Sequence, residues 1–95
     1  MLVLVKVKVK AGAQGQFEEV VSGLVDYVKA NEPRTLAYTL GKIEGAETDY
    51  WMIEDYADQA AYDTHVGSDY FKAAIAKVGP LMDGAPEHIP FEKQI

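Results

Sequence analysis

The segment DYWMIEDYA, residues 49–57, is apolar on both of its faces. Its alternation predicts a β-strand in which Tyr50 and Met52 point to one side. Trp51 and Ile53 then point to the other side. An antiparallel sheet that is covered by helices on one side is usually polar on its second side. A second face that is also apolar needs a cover, and another copy of the same sheet is the simplest one. We therefore predict a homodimer.

The segments that precede this strand also alternate with the period of a strand. TLAYTLGK, residues 35–42, carries Leu36, Tyr38 and Leu40 on one side. The loop that contains GAET joins it to the segment at 49–57, so the two strands are predicted to form a hairpin. Near the start of the chain, residues 2–10 place their valines on one face and their lysines on the other, which predicts a further strand.

The remaining apolar residues recur with the period of a helix. From residue 16 the spacing i, i+3, i+4, i+7, i+11 predicts a helix that Pro33 ends, because a residue before proline is disfavoured in the α conformation. Asp58 is predicted to cap a short helix that runs to about Val66, and Ser68 to cap a second one. The apolar stripe of the first helix consists of Phe17, Val20, Val21, Leu24 and Val28.

The C-terminal segment EHIPFEKQI, residues 87–95, is predicted to be the last strand. Pro90 lacks a backbone N–H, which indicates an edge strand or a bulge. The predicted order is β-α-β-β-α-β. This order is typical of the α+β ferredoxin-like fold, a four-stranded antiparallel sheet with its helices on one face. We predict that residues 1–95 form a single domain.

Composition and charge exclude several classes of function. The chain has 95 residues and no cysteine, so disulfides, thiolate zinc sites and cysteine nucleophiles are excluded. Its two histidines and scattered acids show no metal-ligand spacing. The net charge of −6 disfavours nucleic acid and anionic membranes as partners. We find no membrane span or signal peptide in the N-terminal apolar segment, and we expect a cytoplasmic protein.

Three segments resemble the antibiotic biosynthesis monooxygenase family. EPRTLAYTL at residues 32–40 resembles the family's entry to its second strand, with Arg34 where glycine is usual. IEDYAD resembles the end of its third strand. AAYDTHVGSDYF resembles its helical segment with a histidine, with Tyr70 where a second histidine often occurs. Length and element order agree over nearly the whole chain.

This resemblance implies a dimeric α+β barrel with a pocket in each subunit, between the sheet and the helices. Many members of the family oxidise quinols, anthrones or related aromatics with dioxygen and use neither metal nor flavin. Others degrade heme or isomerise small metabolites, so membership alone does not determine function. Ile75 occupies the position of the iron ligand in the heme-degrading relatives, and an isoleucine cannot bind iron. The resemblance therefore implies no cofactor.

Oxygenation without a cofactor requires a base with a pKa near neutrality and a dry apolar pocket. His65 lies on the helix face that is predicted to meet the sheet, and it is the candidate base. Glu54 is a candidate to orient the imidazole. Both residues also have a purely structural interpretation, a packed histidine and a solvated or interface carboxylate. The candidate substrate contacts, each of which is equally an ordinary core residue, are Val5, Phe17, Trp51, Phe71 and Ile75.

Three functions remain open on the sequence. The first is a cofactor-independent monooxygenase that acts on a small hydrophobic aromatic molecule. The second is a non-catalytic dimeric protein that binds such a molecule. The third is an isomerase or cyclase in which His65 transfers a proton without oxygen.

Overall fold

A computed structural model describes residues 1–89 and 91–95. In chain order its strands and helices are β1 (Leu2–Lys8), α1 (Gln14–Asn31), β2 (Thr35–Lys42), β3 (Asp49–Tyr56), α2 (Gln59–Gly67), α3 (Asp69–Val78) and β4 (Glu87–Ile89). A 3₁₀ turn, Gly79–Leu81, follows α3. This order confirms the predicted arrangement. Pro90, on which the predicted irregularity of the last strand was based, lies outside the described residues.

The strands form an antiparallel sheet in the order β2-β3-β1-β4. Buried side chains on one face of this sheet pack with those of α1 and α3 to form the hydrophobic core. The fold is therefore the predicted α+β ferredoxin-like one, with helices on one face. β4 lies at the edge of the sheet, as expected, but it is only three residues long. The predicted strand had extended to residue 95.

The two predicted amphipathic segments near the start of the chain bury the expected faces. On β1, Val5 and Val7 are buried against the helices. The buried side of α1 carries Phe17, Val21, Leu24 and Val28, as its spacing predicted. The ring of Phe17 lies 5.0 Å from that of Tyr50, so α1 packs directly onto β3.

The strand β3 has two apolar faces, as its sequence predicts. Tyr50 and Met52 are buried under the helices. Trp51 and Ile53 lie on the opposite face, where Ile53 is 40% exposed. They line a shallow groove together with Leu4, Gly41, Lys42 and Ile43. That a second copy of the chain covers this groove stays a prediction.

The first residues of β2 depart from the predicted alternation. Thr35 pairs with Tyr56 and Ala37 with Asp55, so Leu36 is an extra residue without a partner on β3. Such a bulge shifts the side chains before it relative to those after it. Leu36 is consequently exposed, whereas Tyr38 is buried. The prediction that Leu36 lies on the same side of β2 as Tyr38 is wrong for this reason.

Two side-chain caps begin the helices that follow β3. The carboxylate of Asp58 accepts a hydrogen bond of 2.9 Å from the backbone N–H of Ala61 at the start of α2. The hydroxyl of Ser68 accepts one of 3.1 Å from the N–H of Phe71 at the start of α3. Both caps were predicted. The short break between the helices brings the rings of His65 and Phe71 to 4.7 Å, so both helices contribute to one site.

Candidate functional site

A cavity of about 300 Å³ lies between the helix-covered face of the sheet and the helices. Its volume is in the range of pockets that bind small molecules. Most of its lining is aliphatic or aromatic, and no lysine or arginine among the described residues lines it. The predicted site residues that line it are Val5, Phe17, Glu54, His65, Phe71 and Ile75.

His65 is the most deeply buried ionisable group at this cavity. Only 1% of the residue is exposed. Its Nδ1 lies 2.9 Å from Oε1 and 3.2 Å from Oε2 of Glu32. A carboxylate only accepts hydrogen bonds, so Nδ1 carries the proton. In the neutral imidazole the lone pair is therefore on Nε2.

Glu32 is held in place by the end of α1 and the start of β2. It is the C-cap residue of α1, and its backbone N–H donates to the carbonyl oxygen of Val28 at 2.9 Å. Pro33 follows and prevents the helix from continuing. The hydroxyl of Thr35 donates to Oε1 of Glu32 at 3.0 Å. The same oxygen therefore accepts from both Thr35 and His65, which fixes the carboxylate beneath the imidazole.

The second nitrogen of His65 has no such partner. Nε2 is buried, and nothing in residues 1–89 and 91–95 forms a hydrogen bond with it. The rings of Tyr38, Tyr56 and Phe71 surround the imidazole at centroid distances of 4.8, 5.6 and 4.7 Å. Burial lowers the pKa of His65, and the nearby Glu32 carboxylate only partly opposes this effect. Burial thus favours the neutral imidazole, in which Nε2 carries a free lone pair.

Glu54 lines the same cavity but does not orient the imidazole. Its Oε1 accepts a hydrogen bond from the hydroxyl of Tyr56. Burial raises the pKa of Glu54, and the hydrogen bond from Tyr56 partly opposes the shift. The prediction that Glu54 orients the imidazole of His65 is wrong, because the carboxylate that forms a hydrogen bond with the imidazole belongs to Glu32.

Trp51 does not line the cavity, contrary to its predicted role as a substrate contact. It lies opposite Lys6 on the second face of the sheet, in the groove near Ile53. Because side chains alternate along a strand, Met52 takes the place at the cavity that Trp51 was expected to fill. The same alternation places Lys6 away from the cavity.

Three further residues lie at or outside the mouth of the cavity. Ile75 is 47% exposed and lines the cavity from α3, so it lies at the rim. His88 on β4 is also exposed and lines the cavity beside Val5. Tyr70 lies elsewhere, with its ring stacked on that of Tyr27 at 4.4 Å.

Sequence reasoning did not identify Glu32 as a site residue. Glu32 was noted only as part of the family-like segment EPRTLAYTL. Glu32 comes immediately before the proline that ends α1, and no pattern in the neighbouring sequence indicates that such an acid is buried beside a histidine. The alternation of β2 predicted that Tyr38 and Leu40 share one side of the strand, and both line the cavity.

The fold and cavity define a class of small α+β proteins with an apolar cavity between a sheet and its helices. The model of the antibiotic biosynthesis monooxygenase family matches residues 1–77, which is most of the chain. A candidate antibiotic biosynthesis monooxygenase from Caulobacter crescentus CB15 is 40% identical, with a TM-score of 0.88 over 97% of this chain and 89% of that one. The chain belongs to the antibiotic biosynthesis monooxygenase family.

More distant structures share the fold. An antibiotic biosynthesis monooxygenase with 22% identity has a TM-score of 0.88 and covers 100% of both chains. A candidate monooxygenase of the same kind from Bacteroides thetaiotaomicron VPI-5482, with 19% identity, has a TM-score of 0.92 over 100% of this chain and 90% of that one. No functionally curated protein matches the chain.

The described residues contain neither a membrane-spanning helix nor a cluster of metal-ligating side chains. None of the helices in residues 1–89 and 91–95 has the length and apolar character needed to cross a bilayer. Within the same residues, no group of three or more histidine, aspartate or glutamate side chains is arranged to hold a metal ion.

Proposed function

We propose that this protein is a cofactor-independent monooxygenase that acts on a small hydrophobic aromatic substrate of the quinol or anthrone type. One observation carries the proposal. His65 is held through Nδ1 by Glu32, while Nε2 is buried without a partner in the described structure. A neutral imidazole with a free Nε2 beside an apolar cavity has the arrangement expected of a general base.

In the proposed reaction, Nε2 of His65 removes a proton from a hydroxyl or an acidic methylene of the substrate. The resulting anion gives one electron to dioxygen, and the two radicals combine to form a carbon–oxygen bond. For an anthrone-type methylene the O–O bond then breaks. The carbon keeps one oxygen as a carbonyl, and the second oxygen leaves with both methylene hydrogens as water. Dioxygen is thus the only oxidant.

The surroundings of His65 favour formation of an aromatic anion. Apolar side chains such as Phe17 and Phe71 line the cavity and exclude water from a planar substrate. The carboxylate of Glu32 stabilises the imidazolium that forms when Nε2 takes up the proton. His65 and Glu32 can transfer the proton without a metal or a flavin.

A proton-transferring isomerase or cyclase is the second candidate. It is favoured by the presence of His65 and Glu54 at one cavity with pKa values shifted in opposite directions by burial. Two such groups can act as a base and an acid in one reaction. In this case the substrate anion is protonated at a new atom and no oxygen is consumed.

We also propose that the protein acts as a homodimer. The groove on the second face of the sheet exposes Ile53 and contains Trp51 and Leu4. A second copy of the chain that packs sheet against sheet buries this surface. Such packing forms the dimeric α+β barrel and leaves the cavity of each subunit on the outer, helical side.

Oxygen uptake tests the proposed reaction. A reduced naphthoquinone or an anthrone is mixed with wild-type protein, and uptake is compared with the autoxidation rate of the substrate alone. We expect a rate above autoxidation that His65→Gln abolishes and that Asp63→Asn, an exposed change on the same helix, leaves intact. Uptake equal to autoxidation would exclude monooxygenation of these substrates. Deuterium exchange into a bound ketone under argon would then support the isomerase, and binding without exchange a carrier protein.

A further inference from the structure

Glu54 has a free oxygen at the cavity. The residue is 8% exposed, lies on β3 and lines the cavity. Its Oε1 accepts from the hydroxyl of Tyr56, and no other hydrogen bond to this carboxyl occurs in residues 1–89 and 91–95. The monooxygenase mechanism proposed above does not use this group. Oε2 is not among the fully buried unpaired atoms of the described residues, so it is accessible to a molecule in the cavity.

The surroundings of Glu54 favour its neutral form. Apart from Tyr56, the titratable groups near it are Tyr38 from β2, Glu32 from the end of α1, and Tyr62 and His65 from α2. His88 of β4 lies at the rim of the cavity. The partner of Glu54 on β1 is Val3, and the cavity side of α3 is apolar. No lysine or arginine in the described part of the chain lines the cavity to compensate a charge there, and burial raises the pKa of Glu54. A carboxylic acid whose Oε1 accepts from Tyr56 has its O–H on Oε2, where it can donate.

Glu54 and His65 belong to the same end of the cavity. The ring of Tyr56, whose hydroxyl donates to Glu54, lies 5.6 Å from the imidazole. Tyr38 pairs directly opposite Glu54 on the neighbouring strand, and its ring lies 4.8 Å from the imidazole. Nε2 of His65 and the carboxyl group of Glu54 therefore flank one pair of tyrosine rings.

We propose that Glu54 binds an acceptor oxygen of the substrate, donating a hydrogen bond from Oε2 while His65 accepts the substrate's proton. This inference rests on the proposed function and names its ligand class. The ligand is an oxygenated aromatic with a carbonyl-type oxygen for Glu54 and an acidic O–H or C–H for Nε2. Glu54 then also stabilises the negative charge that develops on that oxygen when the proton leaves.

The test measures binding alone, with 1,4-naphthoquinone and naphthalene as matched probes. Both have the same fused rings, and only the quinone has acceptor oxygens. Because the chain has no cysteine, the quinone cannot alkylate a thiol. Dissociation constants are measured by calorimetry for wild type, Glu54→Gln and Glu54→Met. The amide of Gln can accept from Tyr56 and still donate, whereas Met can do neither.

We expect Glu54→Met to weaken naphthoquinone binding about tenfold and to leave naphthalene binding unchanged. We expect Glu54→Gln to bind naphthoquinone within about threefold of wild type. Equal naphthoquinone affinity in the wild type and the Met variant overturns the proposal.

If Glu54→Met does not fold, the pH dependence of naphthoquinone binding tests the proposal instead. Wild-type affinity for naphthoquinone should fall as pH rises and Glu54 ionises, and the Gln variant should show no such fall. A wild-type profile that is flat, or that the Gln variant reproduces, overturns it.

These results are separate from oxygen chemistry, since an oxidised quinone undergoes no turnover. Selective loss of quinone binding in Glu54→Met, together with uptake no faster than autoxidation, would retain this assignment and reject the monooxygenase. Catalysed oxygen uptake together with equal probe affinities would retain the monooxygenase and reject the role of Glu54.

Discussion

The contact between His65 and Glu32 joins two residues that are 33 positions apart in the chain. It determines which imidazole nitrogen is free, because the carboxylate requires a proton on Nδ1. Thr35 donates to the same carboxylate oxygen and fixes its orientation. Glu32 thus acts on the substrate only through His65, as a positioning residue.

Glu32→Gln should move the acid limb of the pH–rate profile to lower pH. The negative charge of Glu32 raises the pKa of His65 against the effect of burial. Without that charge the pKa falls further, so the imidazole stays neutral and active to lower pH. The plateau rate should also fall by about tenfold or more, since the base is weaker and its imidazolium is less stabilised. The measurement is turnover between pH 4 and 9.

The same chemical change on an exposed part of α1, Glu19→Gln, is the control for that experiment, and it should leave the profile in place. An acid limb at the same pH in wild type and Glu32→Gln would contradict the coupling between Glu32 and His65.

His65→Ala should separate a catalytic from a structural histidine. If His65 is the base, turnover falls by roughly 10² to 10⁴-fold. The free energy of unfolding also falls, by about 1–3 kcal/mol, because the buried Glu32 loses the hydrogen bond from His65 and keeps only the one from Thr35. Turnover and urea unfolding are measured on the same preparation. A loss of stability with turnover unchanged within a few-fold would show that His65 only packs.

Sequence reasoning identified the candidate base but not its partner. His65 lies on a helical stripe, and the spacing of apolar residues shows which side of a helix faces the sheet. Its contact with Glu32 depends on how α1 ends and how α2 packs, which no local pattern encodes. Trp51 was placed at the cavity because it is large and apolar, although the strand period put it on the other face. The alternation along β3 was the stronger evidence.

At the scale of secondary structure, periodicity predicted the strands and helices of this fold well. β2 and β3 were predicted within one residue of their observed ends. The bulge at Leu36 was not predicted, because it arises from the pairing between β2 and β3 and not from the sequence of either strand. The length of β4 was overestimated because the segment was predicted as a strand to residue 95, whereas residues 91–95 do not pair with β1.

Ser68→Ala should lower the free energy of unfolding by about 1 kcal/mol, because α3 loses the acceptor for the N–H of Phe71. Urea unfolding measures the change. Ser22→Ala is the matched control: this serine is exposed within α1, where alanine is the better helix former. The control should be neutral or slightly stabilising. Equal effects of the two substitutions would mean that the cap contributes nothing.

At the scale of the whole molecule, one sheet separates two different surfaces. Its helix-covered face forms the cavity, and its second face forms the groove with Trp51 and Ile53.

We predict that light scattering at micromolar concentration gives about twice the chain mass of 10.5 kDa. Ile53→Asp should give a monomer, because it places a charge in the interface. Lys72→Asp, an exposed change on α3, should remain a dimer. A wild-type monomer at this concentration would contradict the dimeric barrel.

The unpaired Nε2 of His65 has a consequence for the stability of the unliganded protein. A buried nitrogen without a hydrogen bond costs free energy, and that cost disappears when a ligand donates to it. Ligand binding to the folded state raises the melting temperature according to affinity. Naphthols should therefore raise it more than their methyl ethers, which have nearly the same shape but no proton to donate. Thermal melting of this protein thus distinguishes hydroxyl donors from non-donors without any turnover.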